Sequence, residues 1–77
     1  MPTVTVYSTS VCPWCVKAKS FLKDKKIEFN DIDVSKDPQA AQEMMQKSGQ
    51  RGVPVLDIDG TIIIGFDQSA IEHALGL

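Results

Sequence analysis

The sequence predicts an α/β domain: a four-stranded mixed sheet with elements in the order β-α-β-α-β-β-α, flanked by three helices. Three observations lead there. The apolar pattern switches repeatedly between period two and a helical period. An Asp59-Gly60 dipeptide sits between two apolar runs and marks a hairpin. Seventy-seven residues, 43% apolar and 23% charged, are enough for one hydrophobic core and no more, so residues 1–77 are read as one domain.

TVTVYS, residues 3 to 8, alternates Thr with Val and Tyr as a strand does when its faces differ. From Pro13 the period changes: Ala18, Phe21 and Leu22 share one side of a helix that runs to near Lys26, with lysines on the other. IEFNDIDV, residues 27 to 34, reads as a second strand whose phase slips once between Phe29 and Ile32. Asp37 with Ser35 offers a cap ahead of Pro38, and Ala40, Ala41, Met44 and Met45 mark the buried face of a helix that stops at Gly49. On that face the methionines are core filler, not a soft metal site. VPVLDI and TIIIGF form the hairpin, and Asp67 can cap a last helix carrying Ala70, Ile71, Ala74 and Leu75. The first strand-helix-strand unit should cross over right-handedly into a parallel pair, and the hairpin must add antiparallel strands.

Composition narrows the function. Eight basic and ten acidic residues give a net charge of -2. The one basic cluster, Lys17, Lys19, Lys23, Lys25 and Lys26, reads as a solvated helix face, so no nucleic-acid partner is expected. MPTVTVYS lacks a basic segment followed by an apolar run, and no stretch approaches the ~18 apolar residues of a membrane span. A reducing cytoplasm is the expected compartment, where paired cysteines are more often catalytic or metal-binding than structural.

SVCPWCVKAK, residues 10 to 19, holds the only two cysteines, at the C-terminal end of the first strand where open sheets bind ligands. A sulfur at a helix N-terminus faces unsatisfied N–H groups and the positive end of the helix dipole, which favours its thiolate. Cys12 has that position, and Cys15 lies one turn on, close enough to form a disulfide and expected to be more buried. Pro13 suits the first turn, since its missing N–H would have had no partner there. Trp14 is expected to be exposed and to offer apolar surface to the molecule carrying the attacked sulfur.

The rival readings of the pair are weaker. A structural disulfide would close a short loop and stabilise little. Zinc wants four ligands, and the chain offers two thiols and a lone His73, expected to be a partly exposed surface residue, so no metal site within one chain is expected. Two chains sharing a metal or iron–sulfur cluster through Cys12 remain an alternative.

The second half of the site lies later in the chain. Gly52-Val53-Pro54-Val55 opens the third strand, where a proline is tolerated. A cis Val53-Pro54 bond would turn the Val53 backbone outward to pair with an extended thiol peptide; the alternative is an ordinary trans proline starting a strand. Gly65, Phe66 and Asp67 lead into the last helix, so N–H groups at Asp67 and Gln68 could receive a carboxylate, while Asp67 can also serve as a cap. Arg51 could hold a second carboxylate or stand as a solvated loop residue.

YSTSVCPWCVKAKSFL, GQRGVPV and IIGFD together resemble the glutaredoxins over nearly the whole chain, particularly the short bacterial glutaredoxin-like proteins with a Gly-Phe-Asp. That resemblance implies a thioredoxin fold, a cis Pro54 facing the cysteines, Cys12 as nucleophile and Cys15 as resolving thiol. It implies that Val53 and Asp67 match positions holding the glutathione backbone and its γ-glutamyl end. The substrate-binding set expected is Pro13, Trp14, Arg51, Val53, Pro54, Gly65, Phe66, Asp67 and Gln68. Glutaredoxins typically carry a basic residue three or four places before the first cysteine, where this chain has Thr9 and Ser8, so one glutathione carboxylate lacks that partner. They also have paired glycines where this chain has Ile64-Gly65, and a Thr at Gly52.

The expected activity is that of a cytoplasmic thiol–disulfide oxidoreductase acting as a monomer. It would reduce protein disulfides or protein–glutathione mixed disulfides, with glutathione as co-substrate and no tightly bound cofactor. The alternatives are a redoxin reduced by thioredoxin reductase, or a glutathione-assisted carrier of an iron–sulfur cluster or metal at a dimer interface.

Overall fold

A computed structural model of the chain describes residues 3–77; Met1 and Pro2, the head of the segment read above for a leader, lie outside the described residues. The elements are β1 (Val4–Ser8), α1 (Pro13–Asp24), β2 (Asn30–Asp33), α2 (Pro38–Ser48), β3 (Val55–Ile58), β4 (Thr61–Ile64) and α3 (Gln68–Leu75). The sheet order is β2-β1-β3-β4, with β1 parallel to β2, β1 antiparallel to β3 and β3 antiparallel to β4. This is the mixed sheet expected from the alternation of periods.

Strand alternation sends side chains to two cores. Val4 and Val6 of β1, Leu56 and Ile58 of β3 and Ile63 of β4 pack with Ala18 and Leu22 of α1 and Ile71 of α3. Tyr7 and Val55 point the other way and pack with Ala40 and Met44 of α2. Helices α1 and α3 therefore cover one face and α2 the other. The ends follow the sequence signals: Asp37 accepts the Ala40 N–H at 3.1 Å, and Asp67 accepts the Ala70 N–H at 3.2 Å. Asp59 and Gly60 both take positive φ, 51° and 91°, as a type I′ turn requires.

Two boundaries differ from expectation. The second strand begins at Asn30, not Ile27. Ile27 and Phe29 pack beneath α1 while Ile32 and Val34 pack toward α2, so the phase slip marks chain crossing from one core to the other before pairing begins. Helix α1 ends at Asp24, because Lys26 adopts a left-handed φ of 59°. The lysine face also needs correction at one residue: Lys19 is not simply solvated, since its Nζ lies 3.2 Å from Asp31 Oδ2 and 3.4 Å from Ser8 Oγ.

A second polar link, part-exposed, was not foreseen. Lys47 of α2 donates to Tyr7 Oη at 3.0 Å and to Asp57 Oδ2 at 2.9 Å, tying the helix to β1 and β3. The Tyr7 hydroxyl and then the Asp57 carboxylate hold the Lys47 ammonium well above its ordinary range. At Asp57 burial works upward, but Lys47 and the Gly60 N–H outweigh it and hold the carboxyl below the usual value.

Leu56 is fully buried between β1 and the α1/α3 layer. Leu56→Ala should cost about 2–5 kcal/mol, read as a lower urea midpoint; a loss below about 1 kcal/mol would mean that the site lies outside the core. Asp57 ionises more readily folded than unfolded, so its contribution is present above the ordinary value of 3.8 and lost as pH falls through the depressed folded value. Asp57→Asn should lower the urea midpoint at pH 7 and shrink the further drop seen on acidification to about pH 2.

Candidate active site

Helix α1 starts where β1 ends, and its first turn is built around a sulfur. Cys12 is the N-cap, with φ -97° and ψ 112°, and its Sγ accepts the Cys15 N–H at 3.3 Å. Pro13 takes the first helical position. Serine, threonine, asparagine or aspartate usually fills an N-cap, so a cysteine there places a soft nucleophile against a backbone donor.

The two thiols differ sharply in surroundings. Cys12 is partly exposed, whereas Cys15 is wholly buried. Burial first, then a hydrogen bond with Cys12 and the charge on Cys12, push the Cys15 thiol up to about 11; the Thr9 backbone and Lys19 pull the other way and are outweighed. Cys15 is thus protonated at neutral pH and out of reach of an incoming molecule. Cys12 is the sulfur positioned to meet one first.

Across from Cys12 stands the turn before β3. The Val53-Pro54 peptide is cis. The Cys12 thiol points to the Val53 carbonyl at 3.8 Å, so the turn and the helix end face each other. Gly65, with φ 79°, donates its N–H to the Pro54 carbonyl at 2.8 Å and so draws the end of β4 alongside. The Phe66 ring meets Phe21 of α1 edge-on, with centroids 5.9 Å apart, which anchors the loop into α3.

These pieces border an open groove of about 340 Å3 lined by Trp14, Val53, Pro54, Ile64, Gly65, Phe66 and Asp67. Six of the residues expected from sequence therefore converge. Pro13 and Gln68 stand just outside, as the first residues of α1 and α3, and Arg51 is exposed on the loop before Val53. Trp14 is 56% exposed, with Lys17 Nζ held 4.4 Å from its ring centroid. Ile64 was missed. Period two places Ile62 and Ile64 on the same face, opposite Ile63; α2 covers Ile62 and leaves Ile64 53% exposed at the groove wall. Val11 and Val16, also exposed, extend the apolar rim around Cys12. Among the described residues no three His, Cys, Asp or Glu side chains converge as a metal-ligand set.

The chain matches the Glutaredoxin family over residues 4–63. It belongs to the glutaredoxin family. It is 48% identical over 72 residues to a glutaredoxin-like 8.6 kDa protein in the rubredoxin operon of Clostridium pasteurianum, covering 94% of this chain and 96% of that one. With glutaredoxin 3 of Escherichia coli it shares 33% identity over 76 residues, 99% of this chain and 92% of the relative. Its fold is thioredoxin-like. It superposes with a TM-score of 0.83 on the glutaredoxin-like NrdH-redoxin of Escherichia coli, at 25% identity and 92% coverage of both chains; that protein is described as having a thioredoxin-like activity profile. The family and the adjacent cysteines make this glutaredoxin a thiol–disulfide redox protein.

The unequal thiols are directly measurable. Iodoacetamide at about pH 7 should add one label to the folded protein, at Cys12, and a second only when the protein is unfolded or the pH nears the high value of Cys15. Two labels added together at neutral pH would remove the distinction. Cys12→Ser should keep the thermal midpoint within a few degrees, because serine also caps a helix, whereas Cys12→Ala should lose about 1 kcal/mol.

Proposed function

We propose that this glutaredoxin is an oxidoreductase that reduces protein disulfides and protein–glutathione mixed disulfides through Cys12 and Cys15. The observation carrying the reading is the pairing of a partly exposed Cys12 sulfur, on the N-cap of α1, with a buried Cys15 whose N–H points at it 3.3 Å away. The Cys12 thiolate attacks one sulfur of the substrate disulfide; that bond breaks, the first thiol leaves with a proton, and a mixed disulfide remains on Cys12. Cys15 then loses its proton and attacks Cys12 Sγ, releasing the second thiol and closing a Cys12–Cys15 disulfide. Glutathione can instead attack the mixed disulfide directly and bypass Cys15. In either route two electrons pass to the substrate, and an external thiol or reductase restores the dithiol.

The remaining roles follow from the groove. Val53 offers its backbone to an extended thiol peptide, with Pro54 behind it and Gly65 and Phe66 as the opposite wall. Trp14 and Ile64 give apolar contact to residues flanking the attacked cysteine. Asp67 and the α3 end with Gln68 receive the charged end of a glutathionyl group, Arg51 offers a cation for its other carboxylate, and Pro13 fixes the loop that displays Cys12. Glutathione is the proposed co-substrate, with no tightly bound cofactor, and the cytoplasm the proposed compartment. Thioredoxin reductase is the other donor to test: Thr9 and Ser8 stand where a basic residue would assist glutathione, and the NrdH-redoxin neighbour carries a thioredoxin-like profile in its description.

The deciding assay follows NADPH oxidation with a glutathionylated peptide, using glutathione and glutathione reductase in one arm and thioredoxin reductase in the other. The expected result is turnover with glutathione, reduced at least about 100-fold by Cys12→Ser; Cys15→Ser should keep the peptide reaction and lose reduction of protein disulfides. Turnover with thioredoxin reductase alone would reassign the donor. No turnover in either arm would falsify the enzymatic reading.

A further inference from the structure

One polar cluster near the site has no part in the reaction as described. Lys19 lies one helical turn beyond Cys15 on α1, a spacing that puts both on the same side of the helix. Its ammonium does not reach freely into solvent: it is held 3.2 Å from Asp31 Oδ2 on β2 and 3.4 Å from Ser8 Oγ on β1, and its side chain is 21% exposed. The buried Ser8 hydroxyl in turn donates to Asp31 Oδ1 at 3.0 Å. Ser8, Thr9, Ser10, Lys19, Asp31 and Asp33 line an open cleft of about 220 Å3, and the Thr9 backbone hydrogen-bonds Cys15. A fixed cation thus lines this cleft at the end of β1, one helical turn from the buried Cys15 thiol, which does not itself reach the cleft.

We propose that Lys19, anchored by Ser8 and Asp31, is a positioning residue for the second half of the reaction: its ammonium steadies the Cys15 thiolate as it forms, and Asp31 limits how much of that charge Cys15 feels. This rests on the reading of Cys15 as the resolving thiol. The step balances simply. Cys15 gives its proton to water, its sulfur bonds to Cys12 Sγ, the bond from Cys12 to the substrate breaks, and the substrate leaves as a thiolate that takes a proton from water.

The charges around Cys15 give the two residues opposite signs. On α1 they are Cys12 and Lys19; β1 contributes the Ser8 hydroxyl and the Thr9 backbone; β2 contributes Asp31 and Asp33, the latter with its carboxyl held low first by the Ser35 hydroxyl. Among the described residues Lys19 is the cation acting on the thiol, and Asp31 is the anion in contact with Lys19. Removing the cation must make the Cys15 thiolate harder to form, and removing the anion must make it easier. Loosened packing or a missing strut between α1 and β2 would move both variants in the same direction.

The test uses the Cys12→Ser protein, leaving one thiol, with the Cys15 midpoint followed by the 13Cβ chemical shift in NMR. Lys19→Met should raise the midpoint by about half a pH unit, Asp31→Asn should lower it by a similar amount, and Lys19→Arg should restore it. In the two-cysteine protein, release of glutathione from a Cys12–glutathione mixed disulfide at about pH 7 should be about two- to three-fold slower in Lys19→Met and faster in Asp31→Asn. The midpoint needs no substrate, so it stands apart from whether the enzyme turns over. An unmoved midpoint in Lys19→Met, or a shift of both variants in one direction, overturns the proposal.

Discussion

Burial of one side of α1 holds the site in place. Cys15, Ala18 and Leu22, spaced three and four residues apart, are all fully buried, so the helix lies on the sheet along a single line and its first turn can end in only one place. That place is beside the Val53-Pro54 turn, itself fixed by the pairing of β3 between β1 and β4. Cys15 is therefore a core residue as well as the proposed resolving thiol. The packing that fixes the helix also removes water from this thiol, and it leaves Cys12, one turn earlier at the N-cap, partly exposed.

The division of labour between the two sulfurs follows from this asymmetry. Burial, more than the pull of Lys19, keeps the proton on the Cys15 thiol, so on the proposed reading Cys15 waits until a partner sulfur is bonded to Cys12. On the proposed reading, attack and resolution are then ordered by electrostatics, with no moving part required. In the resting dithiol, Cys12 itself raises the Cys15 thiol, by hydrogen bond and by charge; once Cys12 is in a mixed disulfide, both influences vanish and burial alone opposes the second step.

Much of this was legible in the sequence. Period changes located every element, Asp37, Asp67 and Gly49 marked helix ends, and Asp59-Gly60 fixed the hairpin, because each is a local signal whose cause lies within a few residues. The Cys-Pro-Trp-Cys spacing pointed to thiol–disulfide redox function for the same reason, and the family agrees at that level. What escaped was non-local. Ile62 and Ile64 share a strand face, yet only Ile62 packs into the core under α2; Lys47 is tied to Tyr7 and Asp57 across two strands; and Lys19 looks like its neighbours on α1 until β2 brings Asp31 against it. The slip of phase in residues 27 to 34 was visible, yet its meaning, a crossing between two cores, depends on both helical layers being in place.

The charges near the cysteines are largely taken up by neighbours within the fold. Lys17 lies over Trp14, Lys19 is held by Asp31 and Ser8, and Asp67 gives one carboxylate oxygen to the Ala70 N–H. The rim that remains is apolar, made by Val11, Trp14, Val16 and Ile64, with the Val53 backbone at its centre. On the proposed reading, then, a partner is selected by main-chain pairing and apolar contact more than by charge. Such a surface suits a peptide segment carrying the target cysteine among apolar neighbours, since burying each such side chain is worth about 1.5–3 kcal/mol and an exposed ion pair at most about 1. Recognition would accordingly change little with ionic strength, in contrast to a glutaredoxin that holds both glutathione carboxylates with basic side chains.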